Sequence, residues 1–417
     1  MTPAYRLPRS LICLASLLLG CASSQESAEP YVPPVDAEEG LCTAPLYTTA
    51  LPAAASAGPC GVGAGVVTPS PGPVGEAEAT APFTVGPYTW TVHRNLTYGV
   101  RGGRVLQGDL WVPQWTTTRA PGLILGIHGG GWEACDRRRA DPSVELFLLR
   151  LSVASNAAFF NVEYRLSQEG GGFPENLRDV RCAAQFIAAR TRNRPALGVD
   201  GARLVAVGES AGAHLASMLA LTQARGDLDP GCTDGSLPPP RADFLAAFAF
   251  SPVTDLPALV ASQSLAREAP QHYTGGACDE AAPEDVRACG GCPSTQRCID
   301  ASPLRHACEL PETTKLFLVH APRSTAKGEY DFLIPLSQSL ALHDAVKLSR
   351  PEGVQLWAPE AAAIEAAGCY SQLDIVSAGG TLPDGRPMPF AHGFMPCLYE
   401  PLLPLLGPAV ASYVGGQ

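Results

Sequence analysis

The sequence predicts an α/β fold with a mostly parallel central sheet covered by helices on both faces. Three observations carry that expectation. Short apolar runs alternate with helical patterns along most of the chain. The opening of the folded part instead alternates apolar and polar residues, as an antiparallel pair does. Finally, 417 residues with 46% hydrophobic and only 17% charged side chains are enough to bury a sizeable core.

Taken in order, the chain begins with Arg6 and Arg9 ahead of the apolar stretch Leu11 to Gly20, a basic segment followed by a short hydrophobic one. That stretch is roughly half of the ~20 apolar residues a membrane-spanning helix needs. It ends in Leu18-Leu19-Gly20-Cys21, which resembles the lipobox of bacterial lipoproteins. The resemblance implies that residues 1–20 are a signal peptide and that Cys21 is lipidated and becomes the first residue. It implies an exported bacterial lipoprotein of the outer membrane or cell surface, touching the membrane through its lipid anchor only. If the lipobox reading fails, the protein is periplasmic or secreted. Residues 21–82 are rich in Ala, Pro, Gly and Ser, lack hydrophobic periodicity and read as a flexible stalk, with Cys42 and Cys60 spaced to close a small loop.

Residues 83–417 read as one domain. Tyr88 to Leu96 and Val105 to Val112 form the antiparallel opening pair around Gly-rich turn residues. The strands expected after it are Gly122–Ile127, Ala157–Val162, Leu204–Val207, Phe244–Phe250, Lys315–Val319 and Val354–Trp357, with helices such as Leu177–Ala189 and Ala211–Leu221 between them. In parallel sheets, sites form where strands end at their carboxyl side. The residues after each run are therefore where chemistry is sought.

Two motifs stand at such places. Gly208-Glu209-Ser210-Ala211-Gly212 lies between a strand and a helical pattern, where a serine on a strained turn projects its oxygen above the sheet. The helix that follows aims its N-terminus at developing negative charge. His128-Gly129-Gly130-Gly131-Trp132 follows the strand ending at Ile127, and its glycines let backbone N–H groups approach a reacting carbonyl oxygen. With the N–H of Ala211, those of Gly130 and Gly131 make an oxyanion hole.

These residues resemble the α/β-hydrolase superfamily, in particular the bacterial hormone-sensitive-lipase-like esterases and the feruloyl and acetylxylan esterase-like group. Glu163-Tyr164-Arg165-Leu166, Phe173-Pro174, Asp179 and Ser251-Pro252-Val253-Thr254-Asp255 match as well, although Ala213 stands where many members have glycine. The resemblance covers residues 88 to 410, strongest from 122 to 256. It implies a cofactor-free serine carboxylesterase with no metal, whose acid and histidine follow the serine in chain order. His392, in His392-Gly393-Phe394, matches the family's terminal histidine and is the implied base. Asp331 in Asp331-Phe332-Leu333-Ile334-Pro335 resembles the family's acid element, though it comes eleven residues after the strand-end His320 rather than about four. Glu329, two residues away, is the alternative acid. His128 is implied to brace the glycine loop.

The remaining cysteines and the charge balance complete the reading. Of 14 cysteines, Cys13 leaves with the signal and Cys21 is lipidated, which leaves twelve. Cys278, Cys289, Cys292, Cys298 and Cys308 cluster in an insertion at about 256–312, where resembling folds carry caps. No second pair completes Cys289-Gly-Gly-Cys292 as a metal site, so disulfides of an oxidising compartment are the expectation, with Cys232 available to make the set even. The formal charge of −11, with no basic run, gives little support to nucleic acid as a partner, and none is expected. The substrate expected is a small-molecule or polysaccharide-linked ester. An arylformamidase-like amide hydrolase would use the same residues, and a non-catalytic surface-binding lipoprotein would show a broken elbow or missing histidine, which this sequence does not.

Overall fold

In a computed structural model of the chain, the strands are β1 (Ala79–Val85), β2 (Tyr88–Arg101), β3 (Arg104–Pro113), β4 (Leu123–Ile127), β5 (Ala158–Val162), β6 (Leu204–Glu209), β7 (Phe244–Phe250), β8 (Lys315–Val319), the two-residue strands β9 (Arg323–Ser324) and β10 (Gly328–Glu329), and β11 (Val354–Trp357). The structure describes residues 77, 79–85, 87–115, 119–137, 143–193, 197–230, 242–359 and 396–416, apart from the stretches 279–292 and 325–327 and the single positions 263, 265, 277, 330 and 332. The expected signal peptide, Cys21 and almost all of the stalk lie outside the described residues, as do Cys289, Cys292 and His392.

Nine strands pair in the order β1-β2-β3-β5-β4-β6-β7-β8-β11. Pairing is antiparallel from β1 to β5 and parallel from β5 across to β11. This is the expected α/β-hydrolase fold, and the six strands foreseen after the opening pair lie within two residues of their expected bounds. The opening pair is longer than its alternation suggested, because Gly102 and Gly103, at φ 56° and 78°, take the left-handed conformations that a two-residue hairpin demands. Three strands were not foreseen, β1 and the two-residue β9 and β10. β1 begins inside the stretch read as stalk, and its Pro82 is tolerated because the strand lies at the sheet edge.

The central strands are apolar throughout because both faces are covered. All five residues of β4 and of β5 are buried. Alternation sends Leu123, Leu125 and Ile127 of β4 into one core and Ile124 into the other. Helices α2 (Glu175–Asn193) and α3 (Ala211–Leu221) cover the first face through Leu177, Val180, Leu215 and Leu219. Helix α1 (Ser143–Ser155) and a C-terminal helix, Leu403–Val414, cover the second through Phe147, Leu151, Leu406 and Val410. Among the described residues between β7 and β8 there are three short α-helices, α4 (Leu256–Val260), α5 (Ala269–Thr274) and α6 (Pro293–Asp300), and after β8 comes α7 (Leu336–Ser349). Among the described residues no helix is long and apolar enough to cross a membrane.

Candidate active site

Because β4, β6, β7 and β8 are adjacent and parallel, their carboxyl ends share one edge of the sheet. The glycine loop leaves β4 there, Ser210 leaves β6, Ser251 leaves β7 and His320 leaves β8.

Ser210 sits between β6 and α3 at φ 51°, ψ −118°, a left-handed conformation costly for a residue with a Cβ. Two backbone hydrogen bonds hold it. Its N–H donates to Phe250 O at 2.8 Å, and its carbonyl accepts from His214 N at 3.0 Å. On either side, glycine is required by close approach rather than by φ. A Cβ at 208 would lie 2.2 Å from Gly212 O, and one at 212 would lie 2.2 Å from Ile127 O. The first turn of α3 is thereby pressed against the end of β4.

The glycine loop is a run of left-handed residues: Gly130 at φ 101°, Gly131 at 62° and Trp132 at 62°. A Cβ at 130 would meet Ala134 O at 2.2 Å, because Gly130 O is tucked under a turn in which it accepts from Glu133 N and Ala134 N at 3.1 and 3.0 Å. The N–H of Gly129 donates to Glu209 Oε1 at 3.3 Å, so the residue just before the serine anchors the loop to the elbow. Among the described residues nothing accepts from the N–H groups of Gly130, Gly131 or Ala211.

His128 is fully buried beneath this loop. Its ring stacks on Tyr164 at 4.2 Å, its Nδ1 lies 2.8 Å from Gly129 O, and Tyr164 Oη donates to His128 O at 3.0 Å. Glu163 closes the far end of the loop by accepting from the backbone and side chain of Arg137, both at 3.2 Å, and lies 3.7 Å from His128 Nε2. Burial alone would push the Glu163 carboxyl up. The hydrogen bonds and charges of His128 and Arg137 outweigh it and hold the group below the usual carboxylate range.

Asp331 is buried, with Oδ1 accepting from Leu333 N at 3.1 Å and Ile334 N at 2.9 Å, and Oδ2 lying 3.7 Å from His320 Nε2. His320 is itself fixed by Ser339 Oγ at 2.8 Å and Ile334 O at 2.9 Å. The long spacing between them is taken up by the β9–β10 hairpin, so the insertion lengthens a loop and the carboxylate still returns to the strand end. Asp331 does not cap α7, whose N-cap is Pro335. The side chain of Glu329 lies outside the described residues. Of the expected site residues, the sheet thus brings Ser210, Gly130, Gly131, Ala211 and Asp331 to one edge.

Several contributors carried no sequence signal. Gln338 of α7 accepts from Thr254 N and Asp255 N at 2.9 and 2.8 Å and donates to Asp255 O at 3.0 Å, tying the Asp331 loop to the exit of β7. Tyr273 of α5 stacks on Trp132 at 4.3 Å. In the expected insertion, Cys278 and Cys298 form a disulfide and Cys308 is also disulfide-bonded, as, in α2, is Cys182. The pairing had no basis in spacing, since fold-brought neighbours decide it.

A serine on a strained strand–helix turn, beside a left-handed glycine loop at the carboxyl edge of this sheet, defines an α/β-hydrolase. Residues 109–346, more than half of the chain, match the BD-FAE family model, and the protein belongs to that family. Among curated proteins it is similar to the non-reducing polyketide synthase mapC of Penicillium roqueforti (strain FM164), 33% identical over 135 residues that are 30% of this chain and 5% of that one. It is also similar to the non-reducing polyketide synthase adrD of Penicillium roqueforti, 33% identical over 174 residues, 40% of this chain and 7% of that one. The matched parts are thus about a twentieth of those relatives' length. Similar solved structures include a thermostable esterase from Pseudomonas putida ECU1011, with TM-score 0.48 and 17% identity over 78% of this chain and 83% of that one. Another is the butyrate-bound Est2 esterase of Thermogutta terrifontis, with TM-score 0.43 and 21% identity over 63% of this chain and 81% of that one.

Proposed function

We propose that the protein is a serine carboxylesterase acting through an acyl-enzyme. The observation that carries this reading is the backbone of Ser210, held left-handed at a strand–helix junction whose neighbour anchors the glycine loop. Membership of the BD-FAE family supports a hydrolase acting on esters.

In this mechanism Ser210 Oγ attacks the ester carbonyl carbon while His392 takes the hydroxyl proton. The carbonyl π electrons move to oxygen, and the N–H groups of Gly130, Gly131 and Ala211 receive the oxyanion. Collapse breaks the bond to the alcohol oxygen, which leaves with the proton from His392. Water, deprotonated by His392, then attacks the acyl carbon, and the bond to Ser210 Oγ breaks as Oγ takes the proton back from His392. Asp331 orients the imidazole and stabilises its charged form. Two backbone hydrogen bonds to its Oδ1 hold the carboxylate in place for this role. No cofactor or metal is needed for any step.

Residues 1–20 are proposed as the signal peptide, Cys21 as the lipidated first residue, 21–82 as the tether and 83–417 as the catalytic domain with its cap at about 256–312. A disulfide in the cap supports export, because such bonds persist in oxidising compartments. The test is hydrolysis of p-nitrophenyl acetate, butyrate and decanoate, beside feruloyl and acetylxylan esters, by the full chain and by Ser210→Ala. Activity abolished by the substitution is expected. Hydrolysis of formamides but not esters moves the reading to an amide hydrolase. Failure of a fluorophosphonate to label Ser210, with no turnover, makes it a retired fold.

A further inference from the structure

The glycine loop ends in a residue ill suited to its backbone. Trp132 is bulky, yet it sits at φ 62° directly after two left-handed glycines. Nothing local compensates for that conformation, so the surroundings must over-determine it. Its carbonyl accepts from Ser167 N at 2.8 Å, and its buried ring is held between two others. Tyr273 stacks face to face with it at 4.3 Å and 11° between planes, and His214 meets it edge-on at 5.0 Å. Tyr273 and His214 also meet edge-on, at 5.1 Å, so the three rings form one closed joint.

Each ring belongs to a different part of the proposed machinery. Trp132 ends the oxyanion loop. His214 stands on α3, where its backbone N–H donates to Ser210 O. Tyr273 belongs to the cap helix α5, which also lies against the loop backbone, since a Cβ on Gly131 would be 3.6 Å from Ala269 Cβ. The cap is tied to α3 a second time: His214 Nε2 donates to Ala301 O at 2.7 Å, just beyond α6. The Cys278–Cys298 disulfide joins the segment after α5 to α6 and closes this circuit covalently. Among the described residues the buried Tyr273 hydroxyl has no hydrogen-bond partner, so the ring, and not its oxygen, makes the joint.

We infer that Tyr273 is a positioning residue: from the cap, it sets the oxyanion loop against the nucleophile helix by clamping Trp132 to His214. The inference rests on the serine-esterase reading. Donors must sit within a few tenths of an ångström of the developing oxyanion to stabilise it, while ground-state binding tolerates more.

The experiment compares Tyr273→Leu and Tyr273→Phe with the wild-type chain, using p-nitrophenyl acetate turnover, fluorophosphonate labelling of Ser210 and backbone hydrogen exchange. The Leu variant, which fills space without stacking, is expected to lose kcat by on the order of tenfold to a hundredfold, with KM changed by less than about threefold. Exchange should quicken in 129–134 and stay unchanged in β6. The Phe variant should restore wild-type kcat, because the hydroxyl has no role. A Leu variant that is merely less stable, with wild-type kcat and KM, overturns the inference while labelling of Ser210 leaves the esterase reading intact. A wild-type chain that neither labels nor turns over overturns both. Should the Leu variant fail to fold, Trp132→Phe against Trp132→Leu reads the same split from the other side of the stack.

Discussion

The sheet edge that carries Ser210 and the cap that overlies it both hold short stretches of backbone in unfavourable geometry, by different means. At the sheet edge the means are burial and close approach. Strands β6 and β7 are buried along nearly their whole length, Ser210 N–H bonds to the next strand, and Gly208 and Gly212 let backbone touch backbone. Among its described residues the expected cap has three α-helices of five, six and eight residues. Helices that short are marginal alone. They are fixed instead by a disulfide and by a few large contacts, above all the Tyr273–Trp132 stack. The difference teaches that the proposed nucleophile depends on the fold as a whole, while the loop beside it depends on a crosslinked appendage.

That comparison is most sharply broken at Gly212. Gly212→Val places side-chain carbon where Ile127 O and His128 O already sit, at 2.2 and 2.5 Å. Only backbone atoms could yield, so a loss of more than about 4 kcal/mol is expected, read as insoluble protein or a collapsed denaturation midpoint. A soluble variant of wild-type stability would show that the sheet edge is looser than described.

In the cap the corresponding change is covalent. Replacing Cys278 and Cys298 together by Ala opens a loop of 20 residues, worth about 3 kcal/mol on chain-entropy grounds. Hydrogen exchange should quicken across 256–310 and stay slow in β6 and β7. Equal acceleration in both regions would erase the distinction.

His214, at the boundary, gives a pH-dependent effect. Burial pushes its pKa down to about 4 despite the bond to Ala301 O. The unfolded chain therefore binds that proton first. Stability is full above about pH 6.5 and falls as pH drops toward 4, by about 3 kcal/mol at most. In His214→Gln the loss between pH 7 and 4.5, followed by urea denaturation, should shrink by about 2 kcal/mol. Parallel curves for the two proteins would remove His214 as the cause.

The smallest effect belongs to the cap's entrance. Asp255 caps α4 by accepting from Ala258 N at 3.1 Å, and Asp255→Ala should cost about 1 kcal/mol in thermal denaturation. A loss several times larger would mean that the cap's short helices fold as one unit with the sheet.

The legibility of this chain follows the range of the forces involved. Strand positions, the elbow and the glycine loop were readable because their requirements are local. A strand covered on both faces must be apolar along its length, and a backbone pressed against backbone must be glycine. Asp331 was readable as a motif, but the hairpin that fills its long approach was not, because two-residue strands leave no periodicity. β1 was hidden for a related reason: an edge strand can carry Pro82 and alanines and resemble a linker.

By itself, the sequence determined the parallel sheet, the order of its strands along the chain, and the two turns at which Ser210 and Gly130 sit. Each of those is dictated by residues close together in the chain. Only the tertiary structure decided that Cys278 pairs with Cys298, that Gln338 bonds the exit of β7, and that Tyr273 closes on Trp132 and His214. Those contacts join segments many residues apart, and a cysteine, a glutamine or a tyrosine looks the same in sequence whatever it meets. Their partners were chosen by where the sheet and its crossovers put them.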